Sequence, residues 1–183
     1  MIANAVTSLR IVLLAPLYGL LALGEGDQAR WWALAVFLAA GFTDVVDGFL
    51  ARRLNQVSAF GAMLDLIADR LLTVVTLLGL LVAGTLSGWG ALAALALIVR
   101  DLVVASFNEA LPGRLEIRVS PLERVKITCH FVAAGLLLAP PFFDLAGVGQ
   151  HALGAGLLAV AAALAMVTLA DYAGRARRAF RAA

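Results

Sequence analysis

The chain has 183 residues, 63% of them hydrophobic and only 14% charged, with a formal net charge of +2. A soluble domain carries roughly 25% charged residues, so the composition excludes an ordinary soluble enzyme and points to an all-α polytopic membrane protein. Cys129 is the only cysteine, which excludes an intrachain disulfide and a zinc site built on paired cysteines.

A helix crossing a bilayer needs about 20 predominantly apolar residues, and only helices and closed barrels satisfy their own backbone groups in lipid. Six spans are predicted, near Ser8–Leu23, Trp31–Leu50, Gly61–Val82, Gly88–Phe107, Leu122–Pro140 and Gln150–Tyr172. They fill residues 1–183 as a single membrane domain, so any chemistry belongs to the spans and their short loops. The first span is short and begins beside Arg10, and a cleaved signal peptide ending near residues 22–24 competes with it.

Charge fixes the expected orientation. Arg52 and Arg53 sit in the second loop, Arg114, Arg118, Arg124 and Lys126 in or beside the fourth, and Arg175, Arg177, Arg178 and Arg181 in the tail. With Arg10, all fall on one side of a six-span arrangement, while the opposite loops hold Arg30 beside Glu25, Asp27 and Asp144. Positive-inside bias places both termini in the cytoplasm. Trp31, Trp32 and Trp89 open spans on the outer side as an interfacial belt. In the last span Gly154, Gly156 and Ala161 to Ala163 permit close helix packing. His130 and His151 lie apart in the chain and are expected to be structural.

The chemically informative stretch runs from Thr43 to Arg70. Asp44 and Asp47 are three apart at the cytoplasmic end of the second span, and Asp65 and Asp69 are four apart at the start of the third. Both spacings put the paired carboxylates on one helix face. A short loop joins the two spans as an antiparallel hairpin, so the acidic faces are expected to meet just inside the cytoplasmic interface. Each buried charge costs several kcal/mol unless compensated; protonation is one escape, divalent cations the other. Oxygen ligands suit Mg²⁺ or Mn²⁺, and two such ions would clamp a diphosphate. Gly48 and Gly61 allow backbone or ligand to approach closely, although helix packing alone also explains a membrane glycine. Arg52 presents a fork for phosphate, whereas Arg53 reads as a plain positive-inside arginine. A lone carboxylate can cap a helix or pair with an arginine such as Arg70; four, paired on adjacent spans, mark a functional site.

The pattern D-x-x-D-G-x-x-A-R, then G-x-x-x-D-x-x-x-D, is matched at every fixed position by Asp44, Asp47, Gly48, Ala51, Arg52, Gly61, Asp65 and Asp69. In these residues the chain closely resembles the CDP-alcohol phosphatidyltransferase family. The resemblance implies a six-helix membrane fold and transfer of a phosphatidyl group from CDP-diacylglycerol to an alcohol, with release of CMP. It implies Asp44, Asp47 and Asp65 as ligands of two Mg²⁺ or Mn²⁺ ions. Asp69 becomes the general base, also touching a metal, and Gly48, Ala51, Arg52 and Gly61 contact nucleotide and diphosphate. A carboxylate within reach of the acceptor hydroxyl is independently a sound base. The resemblance further implies a homodimer among membrane lipids; no nucleic-acid partner is expected. Asn4, Thr7 and Arg10, before Pro16, resemble the N-x-x-T-x-x-R…P opening of phosphatidylglycerophosphate and cardiolipin synthases, which weakens the signal-peptide reading. The polar face of helix one would then approach the same cytoplasmic cavity. Compact size and alanine-rich composition suggest a bacterial inner membrane.

For the acceptor, Arg114, Arg118, Arg124 and Lys126 are candidate phosphate ligands, because arginines provide forked donors; topology alone would also make this loop basic. Residues 119–128, VSPLERVKIT, resemble the V-S-x-x-G-K-x-K-T segment of phosphatidylglycerophosphate synthases, with Arg124, Lys126 and Thr128 kept and Glu123 replacing the glycine. Arg70 stands where that branch commonly has lysine. Glycerol 3-phosphate is the first choice of acceptor, with phosphatidylglycerol, giving a cardiolipin synthase, and inositol or its phosphate as alternatives. The non-enzyme alternative is a divalent-cation transporter. Carriers often show two related halves with a site near the midplane, whereas here the acidic motif occurs once, toward one face.

Overall fold

The computed structural model describes residues 2–53, 59–110, 121–145 and 147–181; the side chains of residues 2–5, 44–53, 59, 62 and 179 lie outside that description. The chain forms helices α1 (Ile2–Ala22), α2 (Gly26–Arg53), α3 (Ala59–Val82), α4 (Gly88–Ala110), α5 (Pro121–Leu138) and α6 (Gln150–Arg181). Each overlaps a predicted span; α1, α2, α3, α4 and α6 run beyond a predicted end, and α5 stops two residues short of Pro140. One element was not predicted, a small antiparallel hairpin of β1 (Asp144–Leu145) and β2 (Val148–Gly149). Gly147 turns it with φ of 81°, where a side chain would be strained. Its N–H donates to Asp144 Oδ1 at 2.7 Å.

Helix ends are closed by identifiable contacts. Gly84 adopts φ of 70°, and the Thr85 and Leu86 N–H groups return to Leu80 O at 3.0 and 3.2 Å, which satisfies a carbonyl left over at the end of α3. Gln150, buried at the start of α6, holds the end of α5. Its Nε2 lies 2.9 Å from Leu136 O and 3.1 Å from Pro140 O, while its Oε1 accepts from Phe142 N–H at 3.2 Å.

The core draws one or more side chains from every helix: Leu17, Phe37, Leu77, Leu97, Leu137 and Leu158. α5 packs extensively on α6, and α4 packs on α6 from another side. A Cβ at Gly154 would sit 2.9 Å from Leu137 Cγ and 3.3 Å from Ala133 O, so the absence of a side chain permits this approach. Ala161 and Ala162 are buried as expected, whereas Ala163 faces outward and Gly156 has open space beside it.

The exterior is apolar, with Leu9, Val12, Leu78, Leu92, Leu95 and Val167 exposed. Such a surface suits lipid rather than water. Among the described residues, α4 and the stretch Gln150–Arg178 of α6 are long and apolar enough to cross a membrane by length and composition. Val6–Ala22 is a shorter apolar helix. With 32 residues, α6 is about 48 Å long against a hydrocarbon core of about 30 Å, so crossing it would leave the arginine-bearing last turns outside.

The expected α2–α3 hairpin is modified in one respect. Among the described residues, α1 packs along both α2 and α3, which touch each other much less. The polar face of α1 therefore reaches the acidic start of α3.

Candidate active site

On α1, Thr7 and Arg10 lie one turn apart and are both buried. On α3, Asp65 and Asp69 share a face, as their four-residue spacing requires. These faces meet: Arg10 Nη1 donates to Asp65 Oδ1 at 3.2 Å and to Asp69 Oδ1 at 2.9 Å. The Arg10 side chain has no exposed surface, whereas those of Asp65 and Asp69 are 46% and 55% exposed. A buried cation thus anchors two carboxylates that are each about half exposed.

Asp65 and Asp69 therefore converge on a single nitrogen, as two oxygen donors must to share one ion. That donor set is of the hard type that suits Mg²⁺ or Mn²⁺. Gly61 lies on α3 one turn before Asp65 and is partly buried. Asp44, Asp47, Gly48, Ala51 and Arg52 belong to the last turns of α2, but their side chains lie outside the described residues. Among the described residues no group of three or more His, Cys, Asp or Glu side chains is placed to hold a metal; the Asp65–Asp69 pair is the described part of the expected set.

Beside Asp69 opens a cavity of about 260 Å³. Its polar lining is Asp69, Arg70, Thr73, Asp101, Lys126 and His130, set against apolar walls that include Phe37 and Phe131. Gly41 also lines it, and a Cβ there would come within 2.8 Å of the Phe131 ring. α2, α3, α4 and α5 each contribute to the lining, so the cavity lies where the helices other than α1 and α6 face one another.

A second charged cluster borders the cavity. Arg100 donates to Asp101 Oδ1 at 2.9 Å, to Glu123 Oε2 at 3.0 Å and to Thr168 Oγ1 at 3.2 Å. Lys126 Nζ lies 2.6 Å from Glu123 Oε1 and 4.0 Å from Asp101 Oδ1. Two cations and two anions are thereby paired across α4 and α5, with α6 supplying Thr168. Taking charges out of water is costly, and this mutual pairing offsets it.

A family model described as CDP-alcohol phosphatidyltransferase matches residues 1–170. The chain belongs to the CDP-alcohol phosphatidyltransferase family. Among its relatives is a protein of Shigella flexneri serotype 5b, 32% identical over 179 residues, which cover 96% of this chain and 94% of the relative. One of Escherichia coli strain K12 is 32% identical over 181 residues with the same coverage. Both are named CDP-diacylglycerol–glycerol-3-phosphate 3-phosphatidyltransferase. The chain is accordingly a phosphatidyltransferase of phospholipid biosynthesis and a membrane enzyme.

Of the expected acceptor residues, Arg124 and Lys126 are the two whose side chains are described, and they face different ways. Lys126 is buried against the cavity, whereas Arg124 is exposed. Two residues along a helix are about 200° apart, so the basic pair cannot share a face. Arg114 and Arg118 lie outside the described residues. The cavity adds Arg70, Asp101 and His130, which sequence reasoning did not assign to the site. Arg70 carried one available signal, its adjacency to Asp69. Glu123, the departure from the phosphatidylglycerophosphate-synthase segment, is the partner of both Arg100 and Lys126. His151 is structural as expected, its Nε2 lying 3.0 Å from Ala139 O.

Proposed function

We propose that this phosphatidyltransferase uses glycerol 3-phosphate as acceptor and CDP-diacylglycerol as donor, forming phosphatidylglycerophosphate and CMP. The names of the relatives support this choice. The observation that carries it is a cavity lined by both Asp69 and cationic side chains, Arg70 and Lys126. At about 260 Å³ it lies below the roughly 300–1,000 Å³ of pockets for drug-sized ligands.

In this reading Asp69 takes the proton of the acceptor hydroxyl as general base. The acceptor oxygen bonds to the lipid-side phosphorus while the bond from that phosphorus to the bridging oxygen breaks, and its electron pair leaves with CMP. Asp44, Asp47, Asp65 and Asp69 would hold two Mg²⁺ or Mn²⁺ ions, which neutralise charge on the diphosphate. Gly48, Ala51, Arg52 and Gly61 form the nucleotide and diphosphate side. Arg10 keeps Asp65 and Asp69 aimed together, so that reaction depends on positioning rather than on movement of these groups. Lys126 and Arg124 on α5, with Arg114 and Arg118 from the fourth loop, give the acceptor's approach a positive field.

The same reading makes the six helices six spans, with both termini and the site at the cytoplasmic face of a bacterial inner membrane. Support comes from the one-sided distribution of basic residues. The homodimer rests on the family resemblance alone. The test supplies purified protein with CDP-diacylglycerol, Mg²⁺ or Mn²⁺, and glycerol 3-phosphate, phosphatidylglycerol or inositol separately, and measures CMP. Release with glycerol 3-phosphate, abolished by chelation and restored by either metal, is expected. Release only with another acceptor would reassign the product, and none with any acceptor would refute the proposal.

A further inference from the structure

The charges around the cavity can be paired off. Asp69 is held by Arg10 at 2.9 Å. Lys126 is held by Glu123 at 2.6 Å, with Asp101 at 4.0 Å. Asp101 is in turn held by Arg100 at 2.9 Å. Among the described residues, these contacts leave one cation of the cavity lining without a carboxylate or hydrogen-bond partner: Arg70. It is partly buried rather than fully solvated, and it follows directly on Asp69, so one turn of α3 presents both groups to the same space.

We infer that Arg70 is the specificity-determining residue that binds the acceptor's phosphate, with Lys126 acting at longer range. The inference rests on the proposal that the acceptor is glycerol 3-phosphate. A phosphate monoester entering this cavity must exchange its hydration for fixed donors. A lysine already bound to Glu123 would have to give up that contact, and Glu123 would then be left beside the incoming anion. Arg70 loses nothing comparable, and its planar fork can meet two phosphate oxygens at once. Because Asp69 and Arg70 both line this cavity, binding the phosphate at Arg70 leaves the acceptor's hydroxyl end in the same space as Asp69. A neutral polyol would gain nothing from Arg70, so the residue selects for a phosphorylated acceptor.

The experiment compares Arg70→Gln with wild type in the CMP-release assay, varying glycerol 3-phosphate, glycerol and CDP-diacylglycerol in turn. The expected result is a rise in the glycerol 3-phosphate KM of roughly 10- to 100-fold, the loss of a charge-assisted contact, with the donor KM held within about twofold. The preference for glycerol 3-phosphate over glycerol, in kcat/KM, should fall by the same factor. Arg70→Lys should recover most of it, because the charge is kept. If Arg70→Gln is not recovered as folded protein, Arg70→Lys carries the test. Loss of the fork should then raise the acceptor KM severalfold and leave the donor KM alone. An unchanged acceptor KM, or equal loss with glycerol and glycerol 3-phosphate, would overturn the inference while leaving the acceptor proposal intact. A wild-type enzyme that does not turn over glycerol 3-phosphate would instead refute the acceptor proposal, and this inference with it.

Discussion

Arg10 offers the most direct test of how the site is held. Its guanidinium nitrogen donates to Asp65 at 3.2 Å and to Asp69 at 2.9 Å while its own side chain is fully buried. Charge-assisted hydrogen bonds contribute about 1.5–3 kcal/mol each when well formed. Both carboxylates are about half exposed, and solvent screening reduces each contact to about 1 kcal/mol. Arg10→Gln should therefore destabilise the protein by about 2 kcal/mol, a fall in Tm of roughly 4–8 °C for a chain of this size. Turnover should suffer more, because a misplacement of about 1 Å can cost about 100-fold in rate. The expected kinetic signature is a kcat lowered by roughly 30- to 100-fold, with donor and acceptor KM within about threefold. Arg10→Lys should restore part of the stability but less of the rate, since an ammonium does not reproduce the planar geometry. Thermal unfolding in detergent and CMP release measure the two quantities. Wild-type kcat in Arg10→Gln, at matched folded protein, would refute the claim that Arg10 positions the base.

Other expectations follow from neighbouring residues. Asp69→Asn should retain CDP-diacylglycerol binding yet lose turnover, whereas Asp44→Asn or Asp47→Asn should raise the metal concentration needed for half-maximal rate; wild-type turnover in Asp69→Asn would remove its role as base. Glu123→Gln leaves Arg100 and Lys126 beside Asp101 alone, and breaking such a mostly buried network should cost about 2–4 kcal/mol, read as a lower Tm in detergent. Gly154→Ala forces a Cβ to within 2.9 Å of Leu137 and 3.3 Å of the Ala133 carbonyl. Overpacking of this kind costs about 1–3 kcal/mol, and a Tm equal to wild type would show that α5 and α6 can separate freely.

The helices were legible because apolar runs bounded by Gly, Pro and charge leave little choice of backbone in lipid. The pairing of Asp65 with Asp69 was legible for a local reason, since four residues fix one face. The meeting of α1 with that face was legible only in outline. Arg10 could be placed near the site, but its contact with both carboxylates depends on α1 packing along α2 and α3. The cavity was the least legible element. Its lining comes from four helices, and only packing decides which residues of each helix turn inward. Arg124 and Lys126 illustrate the limit: as a basic pair they invited a shared role, yet helical geometry sends one outward and one in. Glu123 illustrates the converse, a mismatch to the resembled segment that became intelligible once Lys126 and Arg100 were seen bound to it. The β1–β2 hairpin escaped detection because two-residue strands carry no periodicity to read.

The two charged clusters bordering the cavity differ in a way that bears on their roles. Among the described residues, the formal charges around Arg100 cancel, two cations against Asp101 and Glu123. Arg10 supplies one positive charge to Asp65 and Asp69 together; among these three described residues the formal charges sum to a negative value. A balanced cluster suits a support and an unbalanced one suits a site that awaits cations, because the cost of gathered carboxylates falls only when positive charge arrives. In the proposed reaction the metals meet that need on the donor side, while Arg70 meets the acceptor's anion on the other. The base then lies between the two, held by a buried arginine that never has to leave it.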